Sequence, residues 1–517
     1  MRKAVLVVPP NDYAANLNTL QIASLFTPPL GVLALGTYLQ ANGVPVEVLD
    51  VQVDFGLGLT AEADLAVARR VAQHLAAEAD EIGWVGISAL SNATTGLTLG
   101  SEIARSLPEV PVILGGYFPT TNYSRLLQGY PFISAIVRGD GEAAALALSH
   151  TLERERRLSH PERIPNLAWR DGETVRAAQV HPTRLADLPP LDFGLLRHPE
   201  RYQIVDIITS RGCPFRCNYC LEAAMRPYAC HSPQWVARQL EHLETLFPGE
   251  RVFIYDPVFG LGEARTRELC ALMAAHSFRY AVESRVDVLP PRLLPHLRDA
   301  HVEALFLGIE SASPATLQRM SKVPSLAAAR QYVAQAFEVL TACFECGITP
   351  VLGLMMGFPG NREEDEQSTL AFVTEVERLH DEVSARTGLE PGFLPFAFFT
   401  KVYAGSPLAA TMAESAPQAA LREEPFLGEQ SVLLPSPGLS IDTVQRYQAE
   451  IARRGRYTAT ALERLHHYFV FSLAPFLDAH PELTDGRGLV TLGDSLRRYA
   501  DEVTLTSREM RYDKARG

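Results

Sequence analysis

The chain of 517 residues carries no cysteine before Cys213. That absence leaves its first third without thiolate ligands. The cysteines that follow number seven, an odd count that does not read as a disulfide framework. Long hydrophobic runs are missing too. The most apolar stretches, around residues 30–39 and 351–358, fall well short of the ~20 residues needed to cross a bilayer. The apolar run after Arg2 and Lys3 is too short for a signal peptide. There is no long basic block, and the net charge is −13, which excludes a sequence-independent grip on nucleic acid as the main activity. The expectation is a cytoplasmic protein with neither a nucleic-acid nor a membrane partner. What is plentiful is ordinary core material, with 47% hydrophobic against 21% charged residues, and the length has room for about three domains.

Against that background three cysteines stand together. The stretch Ser210-Arg211-Gly212-Cys213-Pro214-Phe215-Arg216-Cys217-Asn218-Tyr219-Cys220 spaces them C-x3-C-x2-C, directly after an apolar run at 204–208 that reads as a buried strand. Gly212 and Pro214 mark a turn, so the thiols sit on a loop at a strand's C-terminal end. Thiolates this close can share a soft metal centre, and iron–sulfur clusters are normally held by four such ligands. Three leave either a fourth ligand elsewhere or an iron with an open site. A closed zinc site wants two cysteine pairs, and the nearest spare thiol, Cys230, has no pair.

Residues 1–150 alternate aliphatic runs (5–8, 44–49, 85–88, 110–114, 133–137) with segments of helical spacing (30–41, 61–77, 94–107, 121–128, 141–152). Such alternation predicts a Rossmann-like, doubly wound parallel sheet, whose ligands sit at the carboxyl ends of its strands. The loops there include Pro9-Pro10-Asn11, residues 88–92, 115–120 and 138–142. The pair Gly115-Gly116 permits close approach of a flat ligand, or simply a turn. A linker spans 151–195 and contains the hairpin signal Arg170-Asp171-Gly172-Glu173.

Residues 196–408 hold six strand-like runs (204–209, 252–255, 280–283, 304–309, 350–355, 393–399) separated by helical segments at 232–247, 263–275, 291–297, 315–340 and 363–379. Repeated βα units predict a barrel with its chemistry at the C-terminal mouth, and six units predict a partial one. Near those strand ends Glu283, Arg285 and Asp287 alternate and share one side if the strand runs through them. Charges inside a barrel are costly unless a polar ligand satisfies them. Residues 409–517 read as mainly helical (443–453, 458–474), with Tyr468, Phe469, Phe471, Leu473 and Phe476 available for core packing or a substrate pocket. Cys343 and Cys346 share a face of a helix ended by Gly347, as buried small hydrophobes, a redox pair or ligands of a second cluster with Cys230 and Cys270.

The triad, with Tyr219 before its last cysteine, resembles the radical S-adenosylmethionine (SAM) superfamily. The resemblance implies a four-iron, four-sulfur cluster on Cys213, Cys217 and Cys220, with SAM chelating the fourth iron. It further implies that an electron from the cluster cleaves SAM and that the resulting deoxyadenosyl radical takes hydrogen from an unactivated carbon. Gly308-Ile309-Glu310-Ser311, with Lys322 downstream, matches that family's Gly-x-Glu-Ser, and Gly357-Phe358-Pro359-Gly360 resembles its adenine-side turn. By the same likeness Tyr219, Asp256, Glu283, Arg285, Glu310, Ser311, Gly357 and Phe358 would contact SAM. Asp256 and Phe259 match an acidic D-D-x-F segment in which Pro257 replaces the second acid.

The first module resembles the cobalamin-binding domain of cobalamin-dependent radical SAM enzymes through Pro29-Leu30-Gly31, Gly115-Gly116-x-x-Pro119-Thr120 and Gly139-Asp140-Gly141-Glu142. Phe118 stands where histidine is common, and Asp140 where glutamate is. The implied cobalamin contacts are Pro29, Leu30, Ser88, Gly115, Gly116, Tyr117, Phe118, Gly139, Gly141 and Glu142. No Asp-x-His-x-x-Gly occurs in the chain, so no histidine from that motif would lie beneath cobalt. The commonest activity of the resembled family is C-methylation, in which a substrate radical takes a methyl group from methylcobalamin. A second class performs ring closure or rearrangement with the same cofactors. The expected partners are a small-molecule or peptide substrate and an electron donor such as flavodoxin or ferredoxin. A methylthiotransferase would need further cluster cysteines in the first module, which has none.

Overall fold

Neighbouring residues of the first strand serve two different cores. The computed structural model describes residues 1–10, 27–56, 61–89, 93–155, 157–202, 205–400, 402–403, 405–415 and 439–468. In β1 (Lys3–Val8), Ala4 and Leu6 pack with the helices Leu30–Ala41 and Glu142–Glu155, while Val5 and Val7 pack with Ala61–Ala76, Ala93–Ser106 and Tyr117–Gly129. Alternation along a strand thus covers both faces of one sheet. Its other strands are β2 (Val46–Asp50), β3 (Ile82–Ser88), β4 (Val112–Gly115), β5 (Ile133–Val137), β6 (Leu167–Asp171) and β7 (Thr174–Ala177), in the order β2-β1-β3-β4-β5-β6-β7. The strands β1 to β5 pair in parallel, as their helical crossovers require.

The stretch read as a linker does more than connect. Its hairpin signal closes at Gly172 (φ 62°), and β6 and β7 extend the sheet antiparallel from β5. Arg170 fastens the addition, donating to the carbonyls of Leu127, Tyr130 and Ile133 at 2.6, 2.6 and 2.7 Å.

The second sheet is wholly parallel. It consists of β8 (Val205–Ile207), β11 (Arg251–Ile254), β12 (Arg279–Ser284), β13 (Val302–Glu310), β14 (Thr349–Met356) and β15 (Leu394–Phe399), in the order β15-β14-β13-β12-β11-β8. Between β8 and β11, β9 (Ser210–Arg211) and β10 (Ala229–Cys230) form a short antiparallel clasp around the cysteine loop. On one face, Ile207, Ile254, Val282, Leu305 and Leu352 join the core with the helices Pro233–Leu246, Glu263–Met273, Leu326–Glu345 and Glu363–Thr387. That core runs without interruption into the first module through Leu191, Phe193 and Leu196.

The expected helix at 315–340 is two helices, Pro314–Arg319 and Leu326–Glu345. Ser321 at φ 53° breaks the first, Pro324 holds its predecessor extended, and Ser325 caps the second by accepting from the Ala328 amide. Gly347 (φ 70°) ends the second helix as expected.

Of the tail, the helix Ile441–Arg453 packs on Glu363–Thr387 and β15. The helix Ala459–Tyr468 brings Arg464 beneath the barrel, where it donates to Gly347 O (2.7 Å), Thr349 Oγ1 (3.0 Å) and Glu303 O (3.1 Å). Phe469, Phe471, Leu473 and Phe476, and the side chain of Tyr468, lie outside the described residues. Among those described, no helix is long and apolar enough to cross a membrane.

Candidate functional site

The cysteine loop leaves the carboxyl end of β8 through a backbone turn that only glycine fits. Gly212 has φ 76°, and a Cβ there would meet Pro227 O at 2.3 Å. Asp256, at the end of β11, anchors the same turn. One of its oxygens accepts from the amides of Thr209 (2.6 Å) and Ser210 (2.9 Å), and the other from the Thr209 hydroxyl (2.6 Å). Asp256, expected as a SAM contact, gives three of its acceptor positions to holding this turn.

Within the loop, Cys220 donates its amide to Cys217 O at 3.2 Å, placing the last two cysteines one turn apart. Asn218 pins the loop by donating from its backbone to Met320 O (3.0 Å) and from its side chain to Arg319 O (2.8 Å). Arg285 then reaches in from the end of β12. It donates to Cys217 Sγ at 3.4 Å, lies 3.7 Å from the centroid of the Phe215 ring, and donates to both Asp287 oxygens at 2.9 and 2.8 Å. Burial works against its charge, but Asp287 holds the guanidinium above its ordinary pKa. A fixed cation beside sulfur suits a centre that collects negative charge. Burial, and then the neighbouring Cys220 and Cys217, push the Cys213 thiol up, a cost that a metal ion offsets when it takes up the thiolate. Among the described residues no three His, Cys, Asp or Glu side chains close into a ready-made ion cage. The triad's fit to a cluster rests on three soft donors in one pinned loop beside Arg285.

Next to the triad, Lys322 Nζ lies 3.0 Å from Glu310 Oε1. Glu310 sits at φ 65°, a strained setting for a residue with a side chain. Gly308 is bare because a Cβ there would meet Glu310 Oε1 at 2.7 Å and Lys322 Nζ at 2.9 Å, which explains the first position of Gly-x-Glu-Ser. Ser311 is turned away from the mouth. Its hydroxyl accepts from the Ser313 amide (3.1 Å) and pairs with Thr369 (3.2 Å), a task inside the strand–helix junction. Tyr219 and Phe358 pack in one apolar cluster with Met320 and Leu408, tying the cysteine loop to the Gly357–Gly360 turn. Gly357 itself has φ 67° and donates to Glu366 Oε1 at 3.0 Å. Burial, and then Glu310, raise the Tyr219 hydroxyl. Glu283 lies on the inner face of β12, where burial and then Asp256 and Glu310 push its carboxyl up to about 7.

At the first sheet's carboxyl edge, Ala89 donates to Gly115 O at 2.9 Å, bringing the ends of β3 and β4 together beside Ser88. Gly116 (φ 102°) cannot carry a Cβ, which would lie 2.5 Å from Ala89 O. Gly31 and Gly115 face open space, the nearest atom to a Cβ at Gly115 being Val137 O at 3.9 Å. Bare backbone at adjacent strand ends, with Pro29 opening the helix Leu30–Ala41 and half-buried Phe118 beside it, makes a shallow cradle that fits a large flat cofactor. Gly139 (φ 69°) donates its amide to Thr120 Oγ1 at 3.0 Å.

The acids beside these glycines point to the cysteine loop. Glu142 accepts from Arg211 at 2.7 Å and from the Thr183 hydroxyl at 2.9 Å, Asp140 pairs with Arg226, and Tyr117 donates its hydroxyl to Glu222. Burial opposes ionisation of Glu142, yet Arg211 beside it holds the carboxyl below its usual range. Glu142 and Tyr117, expected as cobalamin contacts, are therefore committed to the junction, as is Asp140. Arg211, Glu222 and Arg226 escaped the sequence reading. The available signal was their position, since they flank the three cysteines. Cys343 and Cys270 are buried thiols pushed up by desolvation, Cys270 to about 12, so these two read as structural, whereas Cys230 is exposed.

The two sheets turn their carboxyl edges to one junction, a fold in which a cofactor cradle meets a radical-type cysteine loop. The sequence model of the radical SAM superfamily matches residues 207–373, and that of the B12-binding domain matches residues 22–149. The chain belongs to the cobalamin-dependent radical SAM enzymes, and these domains carry SAM, a four-iron, four-sulfur cluster and cobalamin as cofactors. Among relatives, it is 24% identical over 389 residues to the uncharacterized methyltransferase PH0819 of Pyrococcus horikoshii, covering 72% of this chain and 78% of that one. It is 30% identical over 307 residues to an anaerobic magnesium-protoporphyrin IX monomethyl ester cyclase of Synechocystis, covering 57% of this chain and 59% of the relative. It shares its fold with the radical SAM methyltransferase TsrM of Kitasatospora setae, at a TM-score of 0.66, 17% identity, and coverage of 97% and 100% of the two chains.

Proposed function

We propose that the chain is a C-methyltransferase acting on an unactivated carbon of a small-molecule or peptide substrate, with flavodoxin or ferredoxin as electron donor. What supports this reading is the direct joining of the cobalamin-side loop 139–142 to the cysteine loop through Arg211 and Arg226, which would bring a methyl-carrying cofactor and a radical source to one mouth. When bound, the cluster with SAM supplies the hydrogen-abstracting power, and cobalamin supplies the methyl group.

The chain's own residues do the positioning. Cys213, Cys217 and Cys220 would hold the cluster, with Arg285 balancing its charge. Glu310, Gly357, Phe358 and Tyr219 would line the nucleoside. Pro29, Leu30, Ser88, Gly115, Gly116, Phe118, Gly139 and Gly141 would carry the cobalamin on backbone and apolar contacts. The cyclase relative favours a second reading, ring closure without methyl transfer.

The discriminating experiment supplies reconstituted enzyme and reductant with methyl-labelled SAM and a metabolite extract. Methyl transfer releases S-adenosylhomocysteine together with 5′-deoxyadenosine and moves label into product. SAM cleavage with neither homocysteine product nor labelled product overturns the methyl-transfer reading in favour of ring closure.

A further inference from the structure

The inside of the barrel holds two carboxylates with no partner among the described residues. On β8, Val205 and Ile207 pack outward into the helix-covered core, so Asp206 between them points into the lumen. Its register partner on β11 is Phe253, whose partner on β12 is Ala281, and Glu283 stands two residues further along the same face. Asp206 is only 5% exposed, and among the described residues neither it nor Glu283 has a side-chain hydrogen bond or ion pair. Glu283 acts on Asp206, and Asp256 and Glu310 act on Glu283, while the arginines of these strands, Arg251 and Arg279, are paired with Glu303. A buried carboxylate without donors is costly and is normally paired.

The remaining inner face is largely aromatic, with Phe253 and Phe306 edge to face at 5.3 Å between the two acids' strands and β14. Tyr255, on the segment following β11, is 55% exposed although it stands at the mouth of a barrel. Phe396 and Phe398 stack at 5.3 Å with planes 9° apart. Ala281, Ala304 and Gly353, the last beside Phe396 in register, contribute almost no bulk, and a Cβ on Gly353 would find nothing closer than 3.6 Å. Aromatic faces and carboxylates both attract organic cations, and both reject anions.

We propose that this lumen is the substrate pocket and that it takes an amine-bearing molecule, its ammonium received by Asp206 and Glu283 and its carbon frame lying against Tyr255, Phe396 and Phe398. The assignment deepens the proposed function by naming its substrate class. It rests on the barrel being where substrate is held, and not on whether a methyl group moves.

The test is calorimetric titration of the holoenzyme at neutral pH with phenethylamine, 2-phenylethanol and 3-phenylpropionate. The amine is expected to bind about tenfold or more tighter than the alcohol, and the acid weakest. Asp206→Asn is expected to remove the amine's advantage while SAM affinity stays unchanged, and to raise the melting temperature at mildly alkaline pH. Equal binding of amine and alcohol, tightest binding of the acid, or an undiminished amine preference in Asp206→Asn overturns the proposal. So does a lowered melting temperature in that variant, which would mean that the carboxylate serves the fold. Ring closure without methyl transfer, with the amine preference intact, removes the methyltransferase reading and leaves the pocket standing.

Discussion

Single residues decide whether the cysteine loop can form. At Gly212 the left-handed backbone alone makes a side chain costly, about 1–3 kcal/mol, and Pro227 O lies where a Cβ would stand. Gly212→Ala is therefore expected to lower bound iron and SAM cleavage together, measured by iron count and deoxyadenosine yield, while far-ultraviolet circular dichroism stays unchanged. The lumen acids make a second demand on pH. Burial, and then Glu283, push Asp206 up to about 8, and Glu283 rises to about 7. Both acids therefore bind protons more tightly folded than unfolded. Their contribution is fully favourable below the ordinary carboxyl range near pH 4 and is lost as pH rises through about 7 to 8. Among the described residues the groups that act on them are acids, Asp256 and Glu310 on Glu283 and Glu283 on Asp206, and Glu310 is itself paired with Lys322. Substrate-free wild-type enzyme should lose melting temperature between pH 5 and 8 more steeply than Asp206→Asn, as thermal scans across that range would read.

At the scale of elements, the loop 139–142 and the clasp formed by β9 and β10 work as one piece. Arg211 of the clasp and Arg226 from the segment it encloses end on Glu142 and Asp140. Both acids are largely buried, so they are screened less than surface pairs. Arg211→Met with Arg226→Met is expected to keep iron on the triad and preserve SAM cleavage while lowering product formed per deoxyadenosine released. An unchanged ratio would mean that the two loops need no fixed relation. These pairings also show where sequence reading stops. The strands and helices were legible because their periodicity is local, and the six barrel strands fall where the apolar runs are. The glycines of the strand ends were legible too, since Gly212, Gly308 and Gly116 announce close approach. The partners of Ser311, Asp256 and Glu142 were not, because each is chosen by residues far along the chain. Ser311 answers to Thr369, Asp256 to Thr209, and Glu142 to Arg211. Family resemblance assigned those side chains to ligands, and the fold also engages each of them in its own framework.

For the whole molecule, one hydrophobic core passes from Ala4 and Leu33 through Phe193 to Leu305 and Ile451. The joining stretch is fastened as well, with Tyr202 donating to Asp50 at 2.9 Å and Asp192 donating its amide to Thr37 at 2.9 Å. Residues 1–410 are thus expected to unfold as a single cooperative transition in calorimetry, although they contain two sheets. Two separated transitions would contradict a shared core. The beginning of the chain, its parallel sheet and its barrel were each readable alone, whereas their union was not, because it is made by isolated apolar residues such as Leu191 and Leu196 with no periodic signature.

Arg464 ties the starts of β13 and β14 together on three oxygens. A residue more than a hundred positions downstream thus acts as a rivet for two neighbouring strands, at the end of the barrel away from the cysteine loop. The helix Ala459–Tyr468 is in that sense part of the frame that keeps the mouth in shape, though it stands at the opposite end.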